Sequence, residues 1–201
     1  GNMKLYDAAA SGNCHKVRML LSMLGIEHDV VPINLPEMEQ KAPAHLSLNP
    51  LGTVPVLQDG DVTIYDSQAI LVYLAEKNGS DSWLPTDPVG RALVQQWLSF
   101  AVNELWNGPA IARAKLRFNR DVDLPRAQAL AATVLSVMDA RLADHEWLAI
   151  DRPTIADLAC YPYSALSEEG EISLAPYPAL RAWFKRVEAL PGYVGMPGLG
   201  N

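Results

Sequence analysis

The first 80 residues alternate short apolar runs with amphipathic stretches, a pattern typical of a chain that mixes strands with helices. The run "MKLY" at 3–6 is predicted to be a strand, and small residues follow it. Apolar residues then recur at the spacing of one helix face, at Val17, Leu20, Leu21 and Leu24. This spacing predicts a helix that begins near Cys14, with Asn13 as its N-cap and Gly25 at its end.

The rest of this region indicates a second strand, a hairpin and a further helix. "HDVVPINL" at 28–35 is strand-like, and its proline suits the edge of a sheet. "VPVL" and "VTIY" are predicted to be strands joined at Asp59-Gly60, a dipeptide typical of tight hairpins. A helix is predicted to begin at Asp66-Ser67 and to close at Gly79. The alternation predicts parallel strands first and an antiparallel hairpin last.

A polar, proline-bearing segment, "SDSWLPTDP", separates this region from a second part with a different pattern. Helices are predicted there at about 88–118, 125–145, from 154 onward and at 178–190, three of them beginning at a proline. Thr154 and Asp157 are predicted to form a capping box. The pattern therefore predicts an α/β domain at 1–80, a linker at 81–87 and an all-helical domain at 88–201.

Composition narrows the classes of function. The chain has 201 residues and a formal net charge of −7, which argues against nucleic acid as a partner, because such proteins cluster Lys and Arg. No apolar run approaches the length of about 18 residues that a membrane span needs, so we expect no membrane segment and no leader. Cys14, Cys160 and the four histidines fit no metal-ligand spacing. We therefore expect no metal and a reducing, cytoplasmic location.

Four segments together resemble those of a known family. They are "LNPLGTVPVL" (48–57), "DSQAILVYL" (66–74), "RPTIADL" (152–158) and "ALRAWFKRVEALPGY" (179–193). In order and spacing, and over essentially the whole chain, they resemble the cytosolic glutathione transferases. The resemblance implies a thioredoxin-like α/β first domain, an all-α second domain, glutathione as the co-substrate and a homodimer.

The resemblance also implies which residues of the first domain bind glutathione. In the family the proline of Val54-Pro55 is cis, which turns the backbone of Val54 toward the cysteinyl residue of the ligand. Ser67 is implied to hold the γ-glutamyl carboxylate through its hydroxyl and N–H, while Asp66 faces the ammonium. Free N–H groups at a helix N-terminus attract anions, and Asp and Ser are also good N-caps, so capping and binding are compatible.

Two further groups of residues are assigned by their place in the chain. Gln40 falls where some relatives carry a histidine for the glycyl carboxylate, and Lys41 could neutralise the same group; the alternative is two solvated loop residues. An electrophile pocket is expected between the domains, lined by Asn103, Trp106, Asn107 and Arg113. Trp106 would supply an apolar wall and Arg113 a charge, against the alternative of a core tryptophan and a solvated arginine.

The stretch "AAASGNCHKVRMLL" raises the question of catalysis. In this family the loop before the first helix supplies a Tyr, Ser or Cys that faces the sulfur of glutathione. Tyr6 lies within the first strand and no tyrosine follows in the loop. Ser11 therefore resembles the hydroxyl of the serine-using classes, and "SGN" is similar to bacterial, theta-like or nu-like members. Asn13 is either a second donor to the sulfur or purely a cap.

The energy required is modest. A thiol with a pKa of about 8.5 must shift by about 2 units, or ~2.7 kcal/mol, to be mostly thiolate at neutral pH. A helix N-terminus contributes about 0.3 to 1 kcal/mol, and a hydrogen bond to a charged group about 1.5 to 3 kcal/mol. A helix dipole together with a Ser11 donor is therefore sufficient.

Cys14 is the rival to Ser11, because a cysteine in a first helical turn can have a lowered pKa and act as a nucleophile. An isolated cysteine is more commonly buried and structural, which is also the prediction for Cys160. The predicted function is a detoxifying glutathione transferase that directs the thiolate to a hydrophobic electrophile. The alternatives are a glutathione-dependent peroxidase, disulfide reductase or isomerase, or a non-catalytic binding protein that keeps the fold.

Overall fold

The polypeptide divides into two units, one built around a sheet and one made of helices. The computed structural model describes residues 2–78 and 81–199. The first unit comprises Gly1–Ser80 together with Pro191–Asn201, and the second comprises Asp81–Leu190. The helical domain predicted over 88–201 thus differs at its end, because residues 191–199 belong to the first unit.

In the described part of the first unit, four strands form one sheet in the order β2-β1-β3-β4. They are β1 (Met3–Asp7), β2 (Asp29–Pro32), β3 (Val56–Asp59) and β4 (Val62–Tyr65). β1 and β2 are parallel, whereas β3 is antiparallel to both β1 and β4. Pro32 lies on an edge strand, where its missing N–H is tolerated, and Gly60 turns the hairpin with a φ of +60°. The predicted thioredoxin-like arrangement is confirmed.

Among its described residues, the first unit also contains three helices: α1 (Gly12–Met23), α2 (Pro43–Leu48) and α3 (Ser67–Lys77), with a 3₁₀ turn at Glu39–Lys41. The predicted N-cap of α1 is wrong, since Ser11 and not Asn13 caps it. Ser11 has an extended backbone, and its hydroxyl accepts a hydrogen bond from the N–H of Cys14 at 3.1 Å. Asn13 already lies in the first turn. The predicted close of α3 at Gly79 lies outside the described residues.

Five helices build the second unit, within the described residues 81–190. They are α4 (Pro88–Val102), α5 (Ile111–Phe118), α6 (Leu124–Asp144), α7 (Ile155–Ala165) and α8 (Pro178–Glu188), with a π-helical segment at Trp106–Ala110 and a 3₁₀ turn at Ser167–Gly170. No helix among the described residues is both long and apolar enough to cross a membrane.

The single helix predicted over 88–118 is wrong, because it is interrupted between α4 and α5. Pro109 lies in the π-helical segment, and proline has no N–H and crowds the preceding turn. Gly108 packs so closely on α6 that an added Cβ would lie 3.0 Å from the backbone nitrogen of Ala131. The irregular segment therefore serves close packing on α6.

The predicted capping box at the start of α7 is confirmed, and Asp157 also accepts hydrogen bonds from residues outside the box. The carboxylate of Asp157 accepts hydrogen bonds from the N–H groups of Thr154 and Leu148, each at 3.0 Å, and from the indole of Trp183 at 2.9 Å. Burial raises the pKa of Asp157 to about 6, while these three donors act in the opposite direction. The side chain of Asp157 therefore connects α7, α8 and the segment that contains Leu148.

The tail that follows α8, residues 191–199, packs on α1 and is hydrogen-bonded to it. The ring nitrogen Nε2 of buried His15 donates to the carbonyl of Val194 at 2.7 Å, and the ring packs edge-on against Tyr193. Gly192 has a φ of +87°, and a Cβ there would lie 2.8 Å from the Cα of Met23. These contacts explain why the tail belongs to the first unit.

The His15 contact predicts a pH-dependent stability. Burial lowers the pKa of His15 to about 4 from its ordinary 6.5. Between these values the unfolded chain binds a proton that the folded chain excludes, so the free energy of unfolding falls as the pH falls. In His15→Gln this dependence should be weaker by about 2 kcal/mol between roughly pH 7 and pH 4.5.

Urea denaturation at the two pH values measures the difference, with His145→Gln, which removes an exposed ring, as the control. An identical pH dependence in wild type and His15→Gln would contradict the assignment.

Candidate functional site

The N-terminal turns of α1 and α3 lie side by side in the first unit. The hydroxyl of Ser67, the first residue of α3, lies 3.4 Å from the carboxamide oxygen of Asn13 in the first turn of α1. Each helix N-terminus carries a partial positive charge and N–H groups that no helical carbonyl satisfies. Two adjacent N-termini therefore form a region suited to anionic groups.

Ser11 stands at the entrance to α1, half-buried. Its hydroxyl oxygen accepts the N–H of Cys14, and its own N–H donates to the carbonyl of Ala8 at 3.0 Å. A serine hydroxyl has one proton and two lone pairs, so its role as an acceptor leaves the proton available for donation. Ser11 can therefore cap α1 and donate to an anion at the same time.

An ion pair fixes the loop that presents Ser11. Arg18 pairs with Asp7 at the end of β1, and its guanidinium also donates to the carbonyls of Ala8 and Ala9, each at 3.2 Å. The guanidinium offers several donors in one plane, so a single side chain holds three points of the loop. The loop reaches Ser11 with little freedom.

Cys14 is inside α1 and has no solvent exposure. Burial, with the negative charge of Asp7 as the second cause, raises the pKa of Cys14 to about 12. The thiol therefore stays neutral at physiological pH, the opposite of what a nucleophilic cysteine requires. Cys160 is equally buried, and its sulfur lies 3.4 Å from the carbonyl of Trp97.

The peptide bond between Val54 and Pro55 is cis, as the resemblance implies. Two buried side chains hold the loop before it. The amide of Asn49 donates to the carbonyl and hydroxyl of Thr53, at 3.1 and 2.9 Å, and Nε2 of His45 donates to the same carbonyl at 2.8 Å. Asn49 and His45 were not predicted as site residues, although the motif "LNPLGTVP" contains Asn49.

Gln40 and Lys41 lie in the 3₁₀ turn before α2. The ammonium of Lys41 donates to the carbonyl of Leu51 at 3.0 Å, and its side chain covers Gly52 so closely that an added Cβ would lie 2.7 Å from Cδ. Gln40 is half-buried, with its amide nitrogen 3.8 Å from the sulfur of Met38. Lys41 is thus brought against the loop that leads to Val54.

Asp66 caps α3 from an unusual backbone conformation. Its φ is +78°, a region that non-glycine residues seldom occupy. One carboxylate oxygen accepts a hydrogen bond from the N–H of Ala69 at 3.0 Å, and the other accepts one from the side-chain amide of Gln68 at 3.1 Å. Backbone strain held by surrounding contacts is often found at ligand sites.

A buried network behind Ser67 was missed by the sequence reasoning. Ser67 is 2% exposed, and its hydroxyl lies 3.1 Å from the side-chain oxygen of Gln68. The ammonium of Lys16 in α1 donates to that same oxygen at 2.9 Å. One signal was available: Lys16 lies one turn before Leu20, in the apolar row of α1, where a lysine is unexpected.

The four residues assigned to the electrophile pocket lie in the second unit, around the interrupted helix. Asn107 donates to the carbonyl of Asn103 at 2.8 Å, and Trp106 packs edge-on against Tyr163. Arg113 is 4% exposed and pairs with Glu169 at 2.7 Å. Arg113 is therefore not the solvated arginine of the alternative interpretation, and Glu169 compensates its charge.

Within residues 2–78 and 81–199, no group of three or more His, Cys, Asp or Glu side chains is placed to hold a metal ion.

Comparison with known proteins gives matches over both units. A family model described as the glutathione S-transferase N-terminal domain matches residues 10–77, and one described as the C-terminal domain matches residues 110–191. Glutathione S-transferase D7 of Anopheles gambiae is 32% identical over 184 residues, which are 90% of this chain and 84% of the relative.

Solved structures agree with this finding. The crystal structure of a glutathione S-transferase from Xanthobacter autotrophicus is 34% identical, with a TM-score of 0.90 over 98% of each chain. A glutathione transferase homologue from Drosophila mojavensis, solved with bound glutathione, is 33% identical, with a TM-score of 0.86 over 96% of this chain and 90% of its own. Since sequence and fold agree over nearly the whole length, the chain belongs to the glutathione S-transferase family.

Proposed function

We propose that the chain is a glutathione transferase of the serine type, which forms the glutathione thiolate at Ser11 and directs it to a hydrophobic electrophile. The observation that carries this proposal is the position of Ser11: its hydroxyl caps α1 through a lone pair and keeps its proton for the sulfur. The buried neutral thiol of Cys14 supports the same assignment by disfavouring a cysteine mechanism.

Glutathione would bind the first unit as an extended peptide. The backbone of Val54, presented before cis Pro55, pairs with the cysteinyl residue, and Lys41 with Gln40 takes the glycyl carboxylate. Ser67 takes the γ-glutamyl carboxylate at the N-terminus of α3, and Asp66 faces the ammonium. These assignments fit the positive ends of two helices and the exposed carboxylate of Asp66.

Catalysis then rests on thiolate formation and on proximity. The thiol of bound glutathione loses its proton to solvent, and the hydroxyl of Ser11 donates a hydrogen bond to the sulfur anion. The α1 N-terminus adds its partial charge, and Asn13 is a candidate second donor. The thiolate attacks the electrophile, the leaving group departs, and no covalent enzyme intermediate forms.

The second substrate would meet the helical unit. Trp106, half-buried against Tyr163, offers an apolar face, and the amides of Asn103 and Asn107 are exposed beside it. These features favour an apolar electrophile with a polar substituent. Cys14 and Cys160 are buried thiols that form no disulfide, which suits a reducing compartment, and we propose a cytoplasmic location.

The first test removes the γ-glutamyl contact. Ser67→Ala should weaken glutathione binding by about 1 to 3 kcal/mol, because a ligand carboxylate loses a hydrogen bond in a site with little solvent. Isothermal titration calorimetry measures the change. Ser136→Ala, which removes an exposed hydroxyl from α6, should bind glutathione as the wild type does. Absence of binding in the wild type, or unchanged affinity in Ser67→Ala, would refute the proposed function.

The second test identifies the group that stabilises the thiolate. In Ser11→Ala the pKa of the bound thiol should rise by about 1 to 2 units, since a hydrogen bond to a charged group is lost. Ultraviolet titration of the thiolate in the glutathione complex measures it. Ser11→Thr keeps both the hydroxyl and the cap, and should titrate as the wild type does.

Two parallel variants sharpen this test. Cys14→Ala should leave the titration in place and retain conjugating activity, while an intermediate shift in Asn13→Ala would make Asn13 a second donor. If Cys14→Ala abolishes activity and Ser11→Ala does not, the enzyme is a cysteine-type thiol transferase and the proposed mechanism is wrong.

We also propose that the chain forms a homodimer, as the family typically does. Light scattering at micromolar concentration should return twice the chain mass of 21.9 kDa. A mass equal to that of one chain, unchanged as the concentration rises, would contradict this proposal.

A further inference from the structure

A completely buried lysine stands behind the N-terminus of α3. Lys16 is 1% exposed, and its ammonium donates to the side-chain oxygen of Gln68 at 2.9 Å. The hydroxyl of Ser67 lies 3.1 Å from that same oxygen. The ammonium and the hydroxyl therefore flank a single atom, and the charge of Lys16 is two hydrogen-bond lengths from the hydroxyl of Ser67, the proposed contact of the γ-glutamyl carboxylate.

A buried ammonium here adds to a potential that is already positive. Removing a cation from water is costly unless groups of opposite polarity surround it. The N-termini of α1 and α3 both contribute positive partial charge at this place. Asp7 is paired with Arg18, and Asp66 is connected to Lys16 through Gln68. An arriving carboxylate would be attracted by all three positive groups.

The orientation of the Gln68 side-chain amide is fixed by its two partners. An ammonium can only donate hydrogen bonds and an ionised carboxylate can only accept them. The amide oxygen of Gln68 must therefore face Lys16, and its nitrogen must face Asp66, at 3.1 Å. Hydrogen bonds in such a chain polarise one another. The charge of Lys16 thus acts at the α3 N-terminus both directly and through an oriented amide.

We propose that Lys16 is a positioning residue for glutathione, whose buried charge favours the α-carboxylate of the γ-glutamyl end at Ser67. This inference rests on the proposed function. Lys16 does not touch the ligand; it acts through Gln68 and through a field that the surrounding interior screens weakly. The group that it recognises is the carboxylate and not the sulfur.

The experiment combines removal of the charge with removal of the ligand group that it serves. Lys16→Met keeps the length of the aliphatic part of the side chain and deletes the ammonium. Calorimetry compares glutathione with γ-aminobutyryl-cysteinylglycine, which lacks only the α-carboxylate. The variant should bind glutathione about tenfold more weakly, equivalent to about 1.4 kcal/mol. It should bind the decarboxylated analogue less than about twofold more weakly, and kcat at saturating glutathione should change less than about twofold.

Lys77→Met is the matched control, because it deletes an exposed ammonium from the last turn of the same helix α3. It should bind both ligands as the wild type does. Lys16→Arg retains the charge and should recover the preference for glutathione over the analogue. If Lys16→Met does not fold, Lys16→Gln gives the same comparison, because its amide can still donate to Gln68 without carrying a charge.

Two results would overturn the inference. An equal loss of affinity for both ligands would make Lys16 merely structural. Glutaryl-cysteinylglycine lacks only the ammonium of glutathione. If Lys16→Met binds this analogue as tightly as the wild type does, Lys16 acts through Asp66 and not on the carboxylate. Failure of the wild type to bind glutathione is a separate outcome, which would refute the proposed function itself.

Discussion

Helix α1 is enclosed on nearly all sides, and this enclosure governs the chemistry beside Ser11. Cys14, His15 and Lys16 are consecutive and all buried, although neighbouring helix residues are about 100° apart around the axis. Each group responds as a medium of low polarity dictates: burial raises the pKa of Cys14 to about 12 and lowers that of His15 to about 4, while Lys16 donates to an amide. Lys16 thus presents its ammonium to Gln68 directly behind the site.

The position of that charge gives the backbone strain at Asp66 a physical explanation. A non-glycine residue in such a conformation costs about 1 to 3 kcal/mol. The carboxylate of Asp66 recovers this cost through the N–H of Ala69 and the amide of Gln68, because each hydrogen bond to a charged group contributes about 1.5 to 3 kcal/mol. Since Lys16 orients Gln68, the strained cap of α3 depends on a residue of α1. The two helix N-termini are therefore held together by polar side chains as well as by packing.

This dependence also explains how far the sequence could predict the molecule. Local periodicity located the strands and the starts of most helices, because those signals lie within a few residues of each other. It misplaced the cap of α1, where Ser11 and Asn13 are equally good cap residues and only the backbone angles distinguish them. It missed Lys16 and Gln68, because their partnership spans 52 residues and the far side of α1 is covered by a tail from the end of the chain. The cis Pro55 followed from the family resemblance and from no local pattern.

Ser11 shows how closely stability and chemistry are joined at this site. Its lone pair satisfies the N–H of Cys14, so the hydroxyl oxygen is fixed in place, and a hydroxyl that accepts a hydrogen bond becomes a better donor. A tyrosine or a cysteine in the same loop could not cap α1 in this way, since an N-cap requires a short side chain with an oxygen acceptor. The same contact that begins the helix thus leaves the hydroxyl proton of Ser11 available at the N-terminus of α1, where the helix dipole favours an anion.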